Sequence, residues 1–178
     1  ESLNESPVPV TVITEQMILS GGARNLKELL AVYVPGMTAV EDQNELNVAM
    51  RGVYGSSQQK ILIMLDGHRL NSRAYSEANP DFSISLEKIK QIEVLRGPAS
   101  SLYGNVALTS VINIITKRGQ DVGGCSLTAG LGNFGQVKAS LLYGKQFDRQ
   151  NDLVIWGDYY RSEGEEVFIP EEEDHSPH

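Results

Sequence analysis

The sequence predicts an α+β fold, with a small mixed sheet and short helices over residues 1–117 and about three antiparallel strands over residues 118–178. Up to Lys117, apolar and β-branched runs alternate with segments of helical spacing, as is typical of an α+β domain. After Lys117 the apolar residues alternate with small or polar ones, which is the period of a strand with two unlike faces. We therefore expect two structural units.

The N-terminal elements begin with a strand and a helix. Residues 7–14 alternate and are β-branched, with prolines near their start, and this predicts an edge strand. Asn25 is a helix N-cap residue with Glu28 three positions later, which is a variant of the capping box. Pro35-Gly36 ends the helix. Its apolar positions recur at helical spacing: Leu26, Leu29, Leu30 and Tyr33.

The later elements of this unit are short. Residues 61–65 are continuously apolar, which indicates a strand covered on both sides, and Asp66-Gly67 is a two-residue hairpin signal. Residues 71–83 are polar and turn-rich, so we expect a surface loop. Further strands are expected at 47–51, 91–95 and 110–116, with a helical turn at 86–89.

The C-terminal strands have apolar residues on every second position. Aromatic residues lie near the strand ends, a pattern typical of a membrane β-barrel, although a soluble antiparallel meander has the same pattern. Two polar turns, residues 132–136 and 148–152, join the strands. The alternating residues are Leu127, Ala129, Leu131; Val137, Ala139, Leu141, Tyr143; and Leu153, Ile155, Gly157, Tyr159.

The composition excludes several classes of function. With 15 Lys and Arg against 23 Asp and Glu, the net charge of -8 argues against nucleic-acid binding. Cys125 is the sole cysteine, so no internal disulfide forms. No charged and apolar leader opens the sequence, and we expect the signal peptide to be absent through processing or truncation.

Motifs for catalysis and cofactors are weak here. Residues 130–135 match the dinucleotide fingerprint GxGxxG, but an alternating strand follows instead of a helix, which favours a hairpin turn. His68 has no second histidine near it, and the acidic segment 171–178 lacks the spacing of a calcium loop. We predict no enzymatic activity, no cofactor and no metal site.

Four blocks of sequence carry a resemblance to a known family. They are Asn47 to Gly52, Ile61 to Gly67, Ile92 to Gly104 with its Arg-Gly-Pro, and Leu108 to Lys117 with Val-Ile-Asn-Ile. In this order they resemble the plug domain of TonB-dependent outer-membrane receptors. Leu108, Thr109 and Ser110 stand where the family usually has a residue followed by two glycines, so we expect the local geometry to differ there.

The resemblance implies a domain at 1–117 that acts as the gate of a receptor for active uptake of a scarce nutrient, such as an iron-siderophore complex or cobalamin. Cargo would be bound by upper loops, matched here by Val40 to Leu46 and Asn71 to Ser83. Arg51 and Arg96 would pair with glutamates of the barrel wall, since a guanidinium binds carboxylates bidentately. The candidate cargo contacts are Asn44, Asn71, Arg73, Tyr75 and Asn79.

The resemblance also implies partners and a location. TonB would pair with an N-terminal box that we place upstream of Glu1, and the full-length protein would lie in the bacterial outer membrane. Residues 118–178 suffice for about three spanning strands of roughly 9 to 11 residues, whereas plugged transporters have about 22 strands. We therefore expect a soluble fragment whose exposed strands either disorder or pair between molecules. The alternative is a free-standing periplasmic interaction or ligand-binding protein with a soluble β appendage.

Overall fold

The computed structural model describes residues 9–42, 45–55, 59–78, 84–148 and 151–164. Four helices and a 3-10 turn at Leu86–Lys88 connect the strands of this part of the chain. The helices are α1 (Glu15–Ser20), α2 (Leu26–Tyr33), α3 (Ser100–Tyr103) and α4 (Gly119–Val122). The strands are β1 (Val10–Thr14), β2 (Met37–Asp42), β3 (Glu45–Met50), β4 (Ile61–Leu65), β5 (His68–Arg69), β6 (Ile89–Leu95), β7 (Ser110–Thr116), β8 (Gly124–Leu131), β9 (Val137–Gln146) and β10 (Asp152–Arg161).

The main sheet has five strands in the order β1-β6-β7-β4-β5. β4 runs parallel to β7, and the other neighbouring strands are antiparallel. The predicted mixed sheet is thereby confirmed. β6 and β7 are consecutive antiparallel neighbours, whereas the connection from β5 to β6 crosses from one edge of the sheet past β4 and β7.

Both faces of the main sheet are covered. Ile61 and Ile63 point into the larger core, which α1, α2 and the β2-β3 hairpin complete. Leu62 and Met64 pack on the opposite side with Ala99, Ala107 and Val111. The alternation of β4 between two cores explains why its sequence is apolar at every position.

The predicted helix is α2, and its N-terminus is capped as expected. The Asn25 side chain accepts a hydrogen bond from the Glu28 N–H at 2.9 Å. The Glu28 carboxylate accepts hydrogen bonds from the backbone N–H and the guanidinium of Arg24, which is the residue before the N-cap. Burial raises the pKa of Glu28, but the Arg24 hydrogen bonds together with the charges of Arg24 and Lys27 outweigh burial and place the pKa below its ordinary value.

One predicted loop is a hairpin. Val40 to Leu46 was expected as a surface segment, but β2 extends to Asp42 and β3 begins at Glu45, with Asp42 paired to Glu45. The resemblance to the family's upper loops suggested a loop, but cross-strand pairing from Met37↔Met50 onward forms a hairpin instead. Asn44 lies outside the described residues.

β8, β9 and β10 form the predicted antiparallel meander. The turn at 132–136 confirms the hairpin interpretation of the glycine-rich segment, since Gly132 N–H donates to the Gln136 carbonyl at 2.9 Å. Leu127, Leu141 and Ile155 lie on one face and are exposed. The opposite face is mainly polar and turns toward the main domain. Self-association through the exposed face remains a prediction.

No helix among the described residues is both long and apolar enough to cross a membrane.

Candidate functional site

Asn71 organises the loop that follows β5. Its side chain is 3% exposed and makes three hydrogen bonds, accepting from Ile63 N–H at 2.7 Å and donating to the carbonyls of Ile61 at 3.0 Å and Ser76 at 3.1 Å. The amide thus joins the loop to the outer edge of β4. Asn71 is a positioning residue of the loop, because its polar atoms are engaged inside the domain.

Several residues that follow Asn71 in this loop are exposed to solvent. Tyr75 is 71% exposed, and Arg73 is also exposed. The Ser72 hydroxyl accepts from the N–H groups of Ala74 and Tyr75, which fixes the backbone that bears them. Asn79 lies outside the described residues. Arg73 and Tyr75 are therefore the two described candidates that are placed to meet a ligand.

Arg51 occupies a tight turn after β3. Met50 and Val53 exchange both backbone hydrogen bonds, and Arg51 and Gly52 between them have φ values of 52° and 76°. Positive φ at both central positions is characteristic of a type I′ hairpin turn. The strand expected at 47–51 thus ends at Met50, and the turn exposes the Arg51 side chain.

Arg96 follows β6 and is half-buried. Its backbone N–H donates to the Pro9 carbonyl at 2.9 Å, while its buried Nε has no hydrogen-bond partner among the described residues. The buried Ser110 hydroxyl likewise lacks a partner within the described ranges. Leu95 pairs with Val111, so Arg96 and Ser110 occupy the next step of the same strand pair. Two unsatisfied polar atoms therefore lie at this end of the sheet.

The Asp66-Gly67 turn is bound to β7. Asp66 and Gly67 have φ values of 49° and 79°, as in a type I′ turn, which confirms the predicted hairpin. Gly67 N–H donates to the Asn113 side chain at 3.2 Å, and Thr116 donates to the Asp66 carboxylate. Asn113 also donates to Glu93 at 3.4 Å. Three of the four sequence blocks are thus in direct contact.

The departure at 108–110 is accommodated without loss of register. Thr109 donates to the Lys60 carbonyl from both its backbone N–H and its hydroxyl. Ser110 pairs with Ile61 as the first residue of β7. The side chains at these positions are therefore compatible with the pairing of β7 with β4.

α4 joins the main domain to the meander by close backbone packing. Gly119 N–H donates to the Asp152 carboxylate at 2.7 Å. A Cβ atom at Gly119 would lie 2.6 Å from the Lys145 carbonyl oxygen, and one at Gly144 would overlap Val122. We call these residues the α4 joint. There is no room in it for larger side chains.

A second contact, the clasp, consists of Ser85, Glu87, Lys138 and Asp158. Lys138 Nζ lies 2.6 Å from Glu87 Oε1. The Ser85 hydroxyl lies 3.0 Å from Glu87 Oε2 and 2.9 Å from Asp158 Oδ1, so its single proton can serve one carboxylate at a time. Ser140 donates to the same Asp158 oxygen at 2.8 Å.

Comparison with known proteins identifies the main domain. The sequence profile described as "TonB-dependent Receptor Plug Domain" matches residues 2–111. The chain belongs to this plug family. The vitamin B12 transporter BtuB of Vibrio vulnificus (strain CMCP6) is 28% identical over 171 residues, which is 96% of this chain and 28% of that protein.

Solved structures agree with this assignment. The ferric-catecholate import receptor Fiu from E. coli K12 superposes with a TM-score of 0.68 at 26% identity, over 88% of this chain and 22% of that one. The siderophore receptor PirA from Acinetobacter baumannii gives a TM-score of 0.65 at 25% identity, over 89% and 25%. The chain thus spans about a quarter of the length of these relatives.

A cleft of about 430 Å³ lies between the plug and the meander. Ile18, Leu19 and Arg24 line its plug side, and Leu131 and Trp156 line the meander side. Arg24 is already paired with Glu28. The clasp residues Glu87, Lys138 and Asp158 border the same cleft, so the plug and meander contact each other through the clasp and separate beyond it.

The described residues include no group of three or more His, Cys, Asp or Glu side chains that could hold a metal ion.

Sequence reasoning missed the clasp and the α4 joint. Their residues are far apart in the chain, as with Ser85 and Asp158, and no local period links them. The turn at 86–89 and the polar positions of β9 and β10 were each expected, but their pairing depends on how the meander packs. A serine and a lysine on the inner face of alternating strands were the available signals.

Proposed function

We propose that this chain is the plug of a TonB-dependent outer-membrane receptor that takes up a scarce nutrient, such as an iron-siderophore complex or cobalamin. The plug serves as the gate and as part of the cargo-binding surface, without enzymatic activity. The observation that carries the proposal is the coupling of the family's sequence blocks into one sheet, through Gly67 with Asn113 and Asp66 with Thr116.

The meander supports a barrel origin for residues 118–178. Apolar side chains such as Leu127 and Ile155 face outward, whereas Lys138, Ser140 and Asp158 face the plug. A barrel wall that separates lipid from a polar lumen has this partition. The five-stranded sheet ends at Thr116, which supports a domain boundary near 117. We propose that the missing barrel strands follow β10.

Cargo contact is proposed for Arg73 and Tyr75. Both are exposed on a loop whose backbone is fixed by Asn71 and Ser72, so the ligand would not have to order the loop on binding. An exposed tyrosine offers a flat stacking surface, and an arginine offers donors for anionic groups. Asn71 supports the site from beneath.

Arg51 and Arg96 are proposed to lock the plug to the barrel. The unsatisfied Nε of Arg96 supports this role, because a buried guanidinium N–H calls for an acceptor and a barrel carboxylate would supply one. Arg51 is held outward by the type I′ turn. TonB is proposed to bind a segment N-terminal to Glu1.

Growth of a strain that lacks the gene tests the proposal. The full-length gene should restore growth on at least one iron chelate or corrinoid supplied as the limiting nutrient. Restoration should weaken with Arg73→Ala and Tyr75→Ala and should persist with Arg161→Ala, a matched exposed residue at the end of β10. Equal growth of the deletion and parent strains on every nutrient would contradict the proposal.

A further inference from the structure

The interface between the plug and the meander has two halves of different chemistry. At the α4 joint, backbone atoms approach so closely that even a Cβ at Gly119 would strike the Lys145 and Leu153 carbonyls. At the clasp, every contact is between polar side chains. The first half cannot shift without moving backbone, whereas the second can open by rotation of side chains.

The clasp is also the weaker half of the interface, because its side chains are partly exposed to water. The Lys138 side chain is 34% exposed and that of Glu87 is 14% exposed, so water can replace their contact as it breaks. Lys88 Nζ lies 4.4 Å from the centre of the Trp156 ring and adds a second contact of the same reversible kind. Partly exposed ion pairs contribute only modestly to stability, and salt screens them.

The cleft lies on the open side of the clasp. Its walls, represented by Leu19 and Leu131, belong to the plug and to β8 and enclose a space of about 430 Å³. Separation of the plug from the meander at this end breaks the polar contacts of the clasp and the contact of Lys88 with Trp156. The α4 joint, by contrast, includes Gly144 against Val122.

We propose that the clasp is a releasable contact and the α4 joint a fixed hinge, so that the plug pivots at residues 117–123 and opens the cleft against β9 and β10. This inference rests on the proposed function for its purpose, since a gate must move relative to its wall. Opening exposes the inner face of the meander while the backbone contact at Gly119 persists.

A cysteine introduced at a buried position of the inner face can report how often the clasp opens. Leu142 is 4% exposed on the inner face of β9, between Ser140, which donates to the clasp residue Asp158, and Gly144 of the joint. In the 178-residue chain with Cys125→Ser, Leu142→Cys provides a single thiol that a reagent reaches when the clasp is open. Exchange of the Gly119 amide, hydrogen-bonded to Asp152, reports on the joint separately.

Glu87→Gln should accelerate labelling of this thiol by about tenfold, the effect expected for loss of a charge-assisted hydrogen bond. Exchange at Gly119 should stay unchanged. Glu163→Gln is the matched control, because Glu163 pairs with Arg161 in an exposed contact of 3.4 Å away from the clasp. It should leave both rates unchanged.

A variant in which the two charges are exchanged distinguishes loss of the ion pair from a folding defect. Glu87→Lys combined with Lys138→Glu should return labelling toward the parent rate, and amide protection of Ile112 and Ile114 monitors the core in every variant. Unchanged labelling in Glu87→Gln, or a rise at Gly119 as large as the rise in labelling, would overturn the proposal. These measurements use neither cargo nor TonB, so their failure is distinct from failure of the nutrient-growth test.

Discussion

The carboxylate of Asp66 accepts two hydrogen bonds from Thr116, one from its backbone N–H and one from its hydroxyl, both at 2.8 Å. The pair lies 50 residues apart in the chain and fixes the end of β4 against the end of β7. It gives a physical reason for an acidic residue before glycine in this block: Asp both tolerates positive φ and satisfies the end of the neighbouring strand.

We expect Asp66→Ala to lower the free energy of unfolding by about 1–3 kcal/mol, through the lost charge-assisted hydrogen bonds and the strain of alanine at positive φ. Asp66→Asn should cost less, because asparagine keeps an acceptor and tolerates the turn. Urea unfolding measures both. Equal stability of the alanine variant and the parent would show that the contact with Thr116 contributes nothing.

Substitutions in the loop after β5 should affect stability and ligand binding separately. Asn71→Ala removes three hydrogen bonds, two of them buried, and should destabilise the plug by about 2–3 kcal/mol. Arg73→Ala and Tyr75→Ala change exposed side chains, so their unfolding free energy should stay within about 0.5 kcal/mol of the parent. Their cargo affinity in the full-length receptor should fall. A stable Asn71→Ala variant would contradict the structural assignment of this amide.

Arg96 should matter more in the full-length receptor than in this chain. Arg96→Ala in the 178-residue chain removes an unsatisfied buried Nε, so thermal stability should change little. In the receptor it should lower the temperature at which the plug unfolds, because a barrel partner loses its cation. Arg96→Lys should restore the charge but not the bidentate geometry. Equal effects of Arg96→Ala in the two contexts would argue against the locking role.

The clasp should weaken in acid. Burial raises the pKa of Glu87, but hydrogen bonds from Lys138, its own backbone N–H and Ser85, with the Lys138 charge, outweigh burial and hold the pKa below 4.5. Because the pKa falls on folding, the stabilisation is complete above pH 4.5 and is lost as pH falls through the lowered value.

Thiol labelling of Leu142→Cys, corrected for the intrinsic pH dependence of the reagent, should therefore accelerate below pH 4.5 in the parent and not in Glu87→Gln. The charged groups around this site include Asp158 on β10, Lys138 on β9, Lys88 against Trp156, and the Arg24–Glu28 pair beside the cleft. An identical pH profile in the two chains would contradict this account of Glu87.

Sequence reasoning predicted the elements with strong local signals. The capped helix α2, the doubly buried β4, the Asp66-Gly67 turn and the alternating β8 to β10 each depend on neighbours within a few residues. It missed β2, whose acidic end resembles a loop and whose pairing with β3 decides its conformation. It also placed Asn71 among ligand contacts, since a buried loop amide cannot be distinguished from an exposed one by residue type.

Energy-dependent uptake by whole cells tests the central claim most directly. Once growth has identified a cargo, its labelled form should bind to cells that carry the full-length receptor whether or not TonB is present, and should enter only when TonB is present. This split is predicted because the plug both binds cargo and closes the path until TonB acts. Entry at the same rate without TonB, or no binding in either strain, would contradict the claim that this chain is the gate of a TonB-dependent receptor.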